Sequence, residues 1–213
     1  MKTHFLVSLP LIALAGIVTL PAVAGTVYEN GPINGNTDAW TINFGFWVGD
    51  TFTVSAGTST ITGFSFGAWL MPGDTLETAQ LTIESRIGGG TVYFNQVIPF
   101  TASGCALNQY GYDVCEETSS FSGPTLNNGT YWSVLQNAVT SEGNPVYWDE
   151  NSGIGCHSPG CPSQSFESEG SIPSESFTVL GTLASSTVPE PSDLVLFASG
   201  FLGLAGILRR RLF

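Results

Sequence analysis

Between residues 26 and 181 the chain alternates apolar and polar residues over short runs, and no stretch repeats with the longer period of a helix. Turn-forming sequences at 71–74 (Met-Pro-Gly-Asp) and 127–129 (Asn-Asn-Gly) separate some of these runs. Short alternating runs with frequent turns are typical of antiparallel sheets packed face to face. The pattern therefore predicts an all-β fold, an antiparallel β-sandwich or jelly-roll-like single domain. The predicted strands cover residues 39–44, 51–54, 60–66, 80–84, 91–98, 110–118, 130–136 and 175–180.

The first residues have the pattern of a cleavable signal peptide. Lys2 precedes an apolar run over residues 5–20, and Ala22 and Ala24 occupy the small-residue positions of an Ala-x-Ala cleavage site. Cleavage after Ala24 leaves Gly25 as the first residue of the mature protein. We therefore expect residues 1–24 to direct export and to be removed; the alternative is a buried N-terminal helix.

A second apolar segment lies near the C-terminus. Pro-Glu-Pro at 189–191 precedes an uncharged run over residues 194–208, which ends at three arginines, 209–211. As a helix this run is about 22 Å long, which is short for a bilayer core of about 30 Å. Local thinning of the bilayer can accommodate the difference. The prolines favour an extended backbone before the helix. The positive-inside rule places Arg209, Arg210 and Arg211 in the cytoplasm and the polar body outside.

These three parts, in this order, resemble the PEP-CTERM sorting signal of Gram-negative bacteria. The resemblance implies that an exosortase, a membrane transpeptidase, recognises Pro189, Glu190 and Pro191 as substrate residues and cuts near them. It also implies transient anchoring in the inner membrane, followed by transfer to the cell surface or extracellular matrix. An ordinary single-span anchor is the alternative. The predicted divisions are the signal peptide 1–24, the exported domain 25–182, the linker 183–188 and the sorting tail 189–213.

Four cysteines lie in the body of the chain: Cys105, Cys115, Cys156 and Cys161. An even number of cysteines in an exported domain indicates two disulfides. Pairing Cys105 with Cys115 and Cys156 with Cys161 is favoured because each bond closes a short local loop. The competing hypothesis is a zinc site formed by these thiolates and His157.

The charge of the body excludes one large class of partners. The formal net charge is −12, and Arg86 is the only Lys or Arg between Lys2 and the terminal arginines. One cation cannot neutralise a row of phosphates, so we expect no binding to nucleic acid. The acidity indicates solubility and mutual repulsion between molecules.

Residues suited to catalysis are few. His157 is the only histidine after the leader, and no Gly-x-Ser-x-Gly motif accompanies it. Two acidic pairs, Glu116–Glu117 and Asp149–Glu150, could serve glycoside hydrolysis if one carboxylate from each converged. We expect a non-catalytic body, and a secreted glycoside hydrolase is the less favoured alternative.

Calcium is the one cofactor that the sequence leaves open. Asp113, Glu116 and Glu117 form one group of hard oxygen ligands, and Asp149 and Glu150 form a second. Neither group has the spacing of an EF-hand loop. The prediction is therefore no cofactor, with calcium at these carboxylates as the alternative.

Trp148 is the candidate glycan contact, because it adjoins acidic residues near a predicted loop and an indole ring can stack on a sugar. The sequence as a whole predicts an exported surface or extracellular-matrix protein with a non-catalytic body. The alternative is a carbohydrate-binding module that acts on exopolysaccharide.

Overall fold

The computed structural model describes residues 24–183, and these form an all-β structure of twelve strands without a helix, hence with no helical segment long and apolar enough to span a membrane. The strands are β1 (Ala24–Glu29), β2 (Asp38–Thr41), β3 (Trp47–Leu70), β4 (Leu76–Glu84), β5 (Val92–Pro99), β6 (Thr101–Leu107), β7 (Asp113–Ser120), β8 (Thr125–Thr140), β9 (Tyr147–Glu150), β10 (Ser165–Glu167), β11 (Gly170–Ile172) and β12 (Phe177–Leu183). The predicted signal peptide up to residue 23, and the linker and sorting tail from residue 184, lie outside the described residues.

Every pairing among these strands is antiparallel, and the sheet curls over on itself. Its main path runs β1-β12-β3-β8-β4-β5. Strand β3 is the centre of the fold, because it also pairs with β7, β9 and β10. The all-β prediction is confirmed, and the curled sheet is sandwich-like.

The sequence predicted two strands where the structure has one. Residues 51–54 and 60–66 both belong to β3, which is 24 residues long. The register with β8 shifts between Val54 and Thr58, and Gly57 takes a φ of 59° there. A bulge of this kind bends a strand and lets it follow a curled sheet, and glycine adopts the positive φ without a steric cost.

An aromatic cluster fills the centre of the molecule. Trp148 on β9 makes edge-to-face contacts with Phe64 and Phe66 on β3 and with Phe177 on β12, at centroid distances of 5.8, 5.7 and 5.7 Å. All four rings are at most 2% exposed. These contacts fix β9 and β12 against the central strand.

Both predicted disulfides are present, and they join Cys105 to Cys115 and Cys156 to Cys161. The first ties the exposed strand β6 to β7, and the second closes a loop between β9 and β10. Cysteines in disulfides supply no thiolate, so the zinc hypothesis is wrong. Two disulfides are consistent with an oxidising, exported environment.

Candidate functional site

Trp148 lies in the core and offers no face to a sugar, so its prediction as a glycan contact is wrong. Its side chain is 0% exposed, and its Nε1 donates a 2.8 Å hydrogen bond to the carbonyl of Ser176. Pairing of β9 with β3, which sets Trp148 opposite Ala68, turns the ring towards the aromatic cluster. Adjacent acidic residues suggested an exposed loop, but these acids are buried as well.

Asp149 is an anchor for the neighbouring loop. Its carboxylate accepts hydrogen bonds from the amides of Asn34 and Gly35, both at 2.9 Å, from Trp69 Nε1 at 2.7 Å and from Ser176 Oγ at 3.1 Å. Burial raises the pKa of Asp149, and these donors oppose the rise. With four donors already bound, this side chain is poorly placed to serve calcium or an acid-catalysed reaction.

Glu150 is partnered too, and it leads to a buried acid that the sequence analysis missed. Trp40 Nε1 donates to Glu150 Oε2 at 3.2 Å, and Ser152 Oγ donates to Oε1 at 2.9 Å. The backbone of Glu150 forms an isolated antiparallel bridge with Glu175. The bridge brings Glu175 beside this group of carboxylates.

The other predicted calcium ligands do not converge. Glu116 and Glu117 point to opposite faces of β7: Glu116 is exposed and accepts a bond from Ser65 Oγ at 2.8 Å, whereas Glu117 is fully buried. Asp113 accepts a bond from the amide of Gly73 in a turn. Within residues 24–183 no three His, Cys, Asp or Glu side chains are grouped so as to hold a metal ion.

Glu117 is a buried acid on the interior face of β7. Neither of its carboxylate oxygens has a hydrogen-bond partner in the described part of the chain. Burial raises its pKa to about 7 from an ordinary value of 4.5. The charged form of this side chain should therefore destabilise the fold at high pH.

Asp50 and Glu175 form what we call the buried acid pair, and both are 0% exposed. The amide of Glu175 donates to Asp50 Oδ2 at 2.9 Å. Among the described residues, Asp50 Oδ1 and both carboxylate oxygens of Glu175 have no hydrogen-bond partner. Burial raises the pKa of both carboxyls well above their ordinary values, and for Glu175 the charge of Asp50 adds to this.

An open cleft of about 530 Å³ lies beside the buried acid pair. We call it the serine cleft, because its lining includes Ser152, Ser163, Ser165, Ser171 and Ser174. Ser165 is the cross-strand partner of Asp50 on β10, so the two side chains share one face of the sheet. The hydroxyls of Ser163 and Ser165 lie beside the Asp50 carboxylate and favour its charged form. The pair is thus separated from solvent by small polar side chains.

A second open cleft, of about 380 Å³, lies between the loop at 33–36 and strand β6. We call it the asparagine cleft, because Asn34, Asn36 and Asn108 line it. The side chains of Asn34 and Asn108 stabilise their own loops. Asn34 Oδ1 accepts a hydrogen bond from the amide of Asn36, and Asn108 Oδ1 accepts one from the amide of Tyr110. Glu116 supplies a carboxylate to the same lining.

Tyr110 lies at the edge of the asparagine cleft as an exposed, fixed aromatic ring. One face stacks on Trp69 at a centroid distance of 5.6 Å, and the hydroxyl donates to the carbonyl of Asn36 at 3.2 Å. The residue is nevertheless 54% exposed. Its free face is available to a ligand. No sequence pattern distinguishes this tyrosine from the tryptophans as the exposed aromatic residue.

The chain matches no protein-family model, and no curated protein or solved structure is significantly similar to it.

Proposed function

We propose that the protein is an exported surface or extracellular-matrix protein, sorted by an exosortase through a PEP-CTERM tail. The observation that carries the proposal is the ordered tail: the motif Pro189-Glu190-Pro191, the apolar run 194–208 and the arginines 209–211. The signal-peptide pattern at residues 1–24 supports the same route. The two disulfides fit the oxidising compartment to which this route leads.

The body is a non-catalytic β-sandwich of the jelly-roll kind in this proposal, held near the inner membrane until the tail is cut. The state of the acidic pairs supports a non-catalytic role. Asp149 is bound by four donors, and Glu116 and Glu117 lie on opposite faces of one strand. After removal of both ends, the body keeps fifteen Asp and Glu residues against one basic residue, Arg86. This excess of negative charge favours a soluble molecule that repels its own copies, as suits release into a hydrated exopolysaccharide matrix.

Changing Glu190 to alanine in the native bacterium tests the sorting step. Glu190 carries the one charge in an otherwise rigid Pro-Glu-Pro segment, so its loss should prevent recognition by the exosortase. We expect the variant to keep its tail and to accumulate in the membrane fraction, as read by immunoblotting of cell fractions and by mass spectrometry. Glu169→Ala, an exposed change in the body, is the control and should be sorted normally. Normal cleavage of Glu190→Ala would contradict the proposal.

A second candidate function, carbohydrate binding, is favoured by one specific observation. Tyr110 presents a fixed aromatic face at the edge of the asparagine cleft, where Asn36 and Glu116 can offer polar groups to sugar hydroxyls. Aromatic stacking combined with a few polar contacts is how a shallow site holds a sugar ring. In this reading the body recognises the exopolysaccharide into which it is released.

Replacing Tyr110 by alanine tests this second function. If the ring is the stacking platform, the change should weaken binding to the producing strain's exopolysaccharide by at least tenfold in a pull-down titration, equivalent to about 1.4 kcal/mol. Tyr93→Ala is the matched control, because Tyr93 is also an exposed tyrosine, at 43%, and lies on β5 outside the cleft. Equal binding by the wild type and both variants would contradict the glycan site.

A further inference from the structure

We propose that the buried acid pair, Asp50 and Glu175, binds one divalent cation, with Ca²⁺ the best-matched ion, which enters from the serine cleft. This site is distinct from the carboxylate groups that the sequence pointed to. None of Asp113, Glu116 or Glu117 takes part in it, and Asp149 and Glu150 are already partnered by other donors.

The first support is an imbalance between neighbouring carboxylates. Asp149 and Glu150 are buried and their oxygens accept hydrogen bonds, which compensates the cost of burial. Glu175 is equally buried, yet both of its oxygens lack a donor among the described residues, and so does Asp50 Oδ1. Buried polar atoms without partners are rare in native proteins and call for a specific compensating group. A cation bound between the two carboxylates would supply that compensation to all three unpaired oxygens.

The second support is that no Lys, Arg or His among the described residues is among the groups that act on either carboxylate of the pair. Between residues 24 and 183 the only Lys, Arg or His residues are Arg86 and His157. Arg86 lies after β4, where its guanidinium donates to the carbonyl of Gly89, three residues on. His157 lies inside the disulfide loop closed by Cys156 and Cys161. An ion from solution is therefore the available source of positive charge.

The ligand atoms match calcium in kind. Asp50 and Glu175 offer carboxylate oxygens, and Ser163 Oγ, which lies beside Asp50, has no hydrogen-bond partner of ordinary geometry within the described chain. Ca²⁺ accepts six to eight hard oxygen ligands in irregular geometry, whereas Mg²⁺ demands a near-ideal octahedron. Water from the serine cleft can complete the shell, since that cleft is open to solvent and lined by hydroxyls. With only two carboxylates, the dissociation constant should lie in the range of extracellular modules, about 10⁻⁴–10⁻³ M.

The position of the pair gives the ion a structural role. Asp50 lies near the start of β3, and Glu175 lies before β12 and is bridged to the end of β9. An ion between the two carboxylates therefore ties the central strand to two others at the edge of the aromatic cluster. Because binding requires the folded arrangement, the ion should stabilise the fold by mass action. Calcium outside the cell would then reinforce a protein that works there.

The test is a calcium titration of the exported protein, purified with its disulfides intact and stripped with EDTA. At ten times the dissociation constant, CaCl₂ should raise the wild-type Tm by about 3–6 °C, and MgCl₂ at matched ionic strength should raise it less. Isothermal titration calorimetry should give one site. Glu175→Gln and Asp50→Asn should abolish both responses, and Glu116→Gln should preserve them.

The alternative hypothesis is that the two acids are simply protonated and bind no cation. A measurement on the EDTA-stripped proteins distinguishes the two hypotheses. Without calcium, Glu175→Gln should melt above the stripped wild type at pH 8, because it removes a buried charge that nothing compensates. Saturating calcium should close that gap by raising the wild type alone. A wild type that neither binds calcium in the calorimeter nor gains Tm, or a calcium response that survives in both acid variants, would overturn the proposal.

Discussion

Replacing Trp148 by alanine is expected to destabilise the protein by about 3–5 kcal/mol, the cost of removing a large ring from a close-packed core. The indole is 0% exposed and contacts three phenylalanines from two other strands. The change also leaves the carbonyl of Ser176 without the 2.8 Å hydrogen bond from Trp148 Nε1. No nearby side chain can fill a cavity of this size without moving the strands.

Urea unfolding at pH 7 measures this loss. Trp132→Ala is the matched control, because Trp132 is only partly buried and its ring meets Phe166, which is itself 41% exposed. We expect the control to lose about 1–2 kcal/mol, as is usual for partly buried positions. Trp148→Phe keeps a ring in place and should fall between the two. Equal stability of Trp148→Ala and the wild type would mean that this tryptophan is outside the core.

Replacing Glu117 by glutamine is expected to stabilise the protein at high pH and to leave its stability unchanged near pH 4.5. Burial raises the pKa of the folded-state carboxyl to about 7 from 4.5. The folded protein therefore binds more protons than the unfolded chain between these values, so wild-type stability falls as pH rises through this window. At about 1.36 kcal/mol per pH unit, the full penalty above pH 7 is about 3 kcal/mol.

The readout is the difference in unfolding free energy between Glu117→Gln and the wild type from pH 4.5 to 8.5. A difference cancels the titration of other buried carboxyls, including Asp50 and Glu175, which both proteins share. The gain should be near zero at pH 4.5, because a protonated carboxyl and an amide both leave unpaired polar atoms in the core. Glu116→Gln on the exposed face of β7 is the control and should show no such gain. A gain independent of pH would contradict the role assigned to burial.

The alternation of apolar and polar residues located most of the sheet correctly, because strands with one buried face carry that pattern. It missed β1, and it missed β9, in which three successive residues are buried and no alternation is seen. It also missed β6, whose seven residues are all exposed and so have no buried face to reveal. That strand is held by pairing with β7 and by the Cys105–Cys115 disulfide. The three-residue strands β10 and β11 are too short to show a period. The two predicted strands 51–54 and 60–66 are joined into the single strand β3 through a bulge at Gly57. The bulge is needed because the whole sheet curls, and the local sequence pattern does not reveal it.

The buried acids could have been found from the same alternation. Asp50 is in phase with Val48, Phe52 and Val54, all of which face the interior. Glu175 is likewise in phase with Phe177 and Val179 on β12. An acid in phase with core residues is a sign of a buried carboxylate. The predicted strand at 51–54 begins one residue after Asp50 and so excludes it, whereas the predicted strand at 175–180 includes Glu175. The two amide donors to Asp149 could not be foreseen, since Asn34 and Gly35 lie in a loop more than a hundred residues away along the chain.

The proposed function requires that the chain is exported, sorted and released without its tail, with both disulfides formed. The most direct test is the intact mass of the protein recovered from the envelope and extracellular fractions of its native bacterium, before and after reduction. We expect a mature form that starts at Gly25, ends between Pro189 and Asp193, and gains two hydrogens per disulfide on reduction. A form that still ends at Phe213 would contradict it and would make the tail a plain membrane anchor.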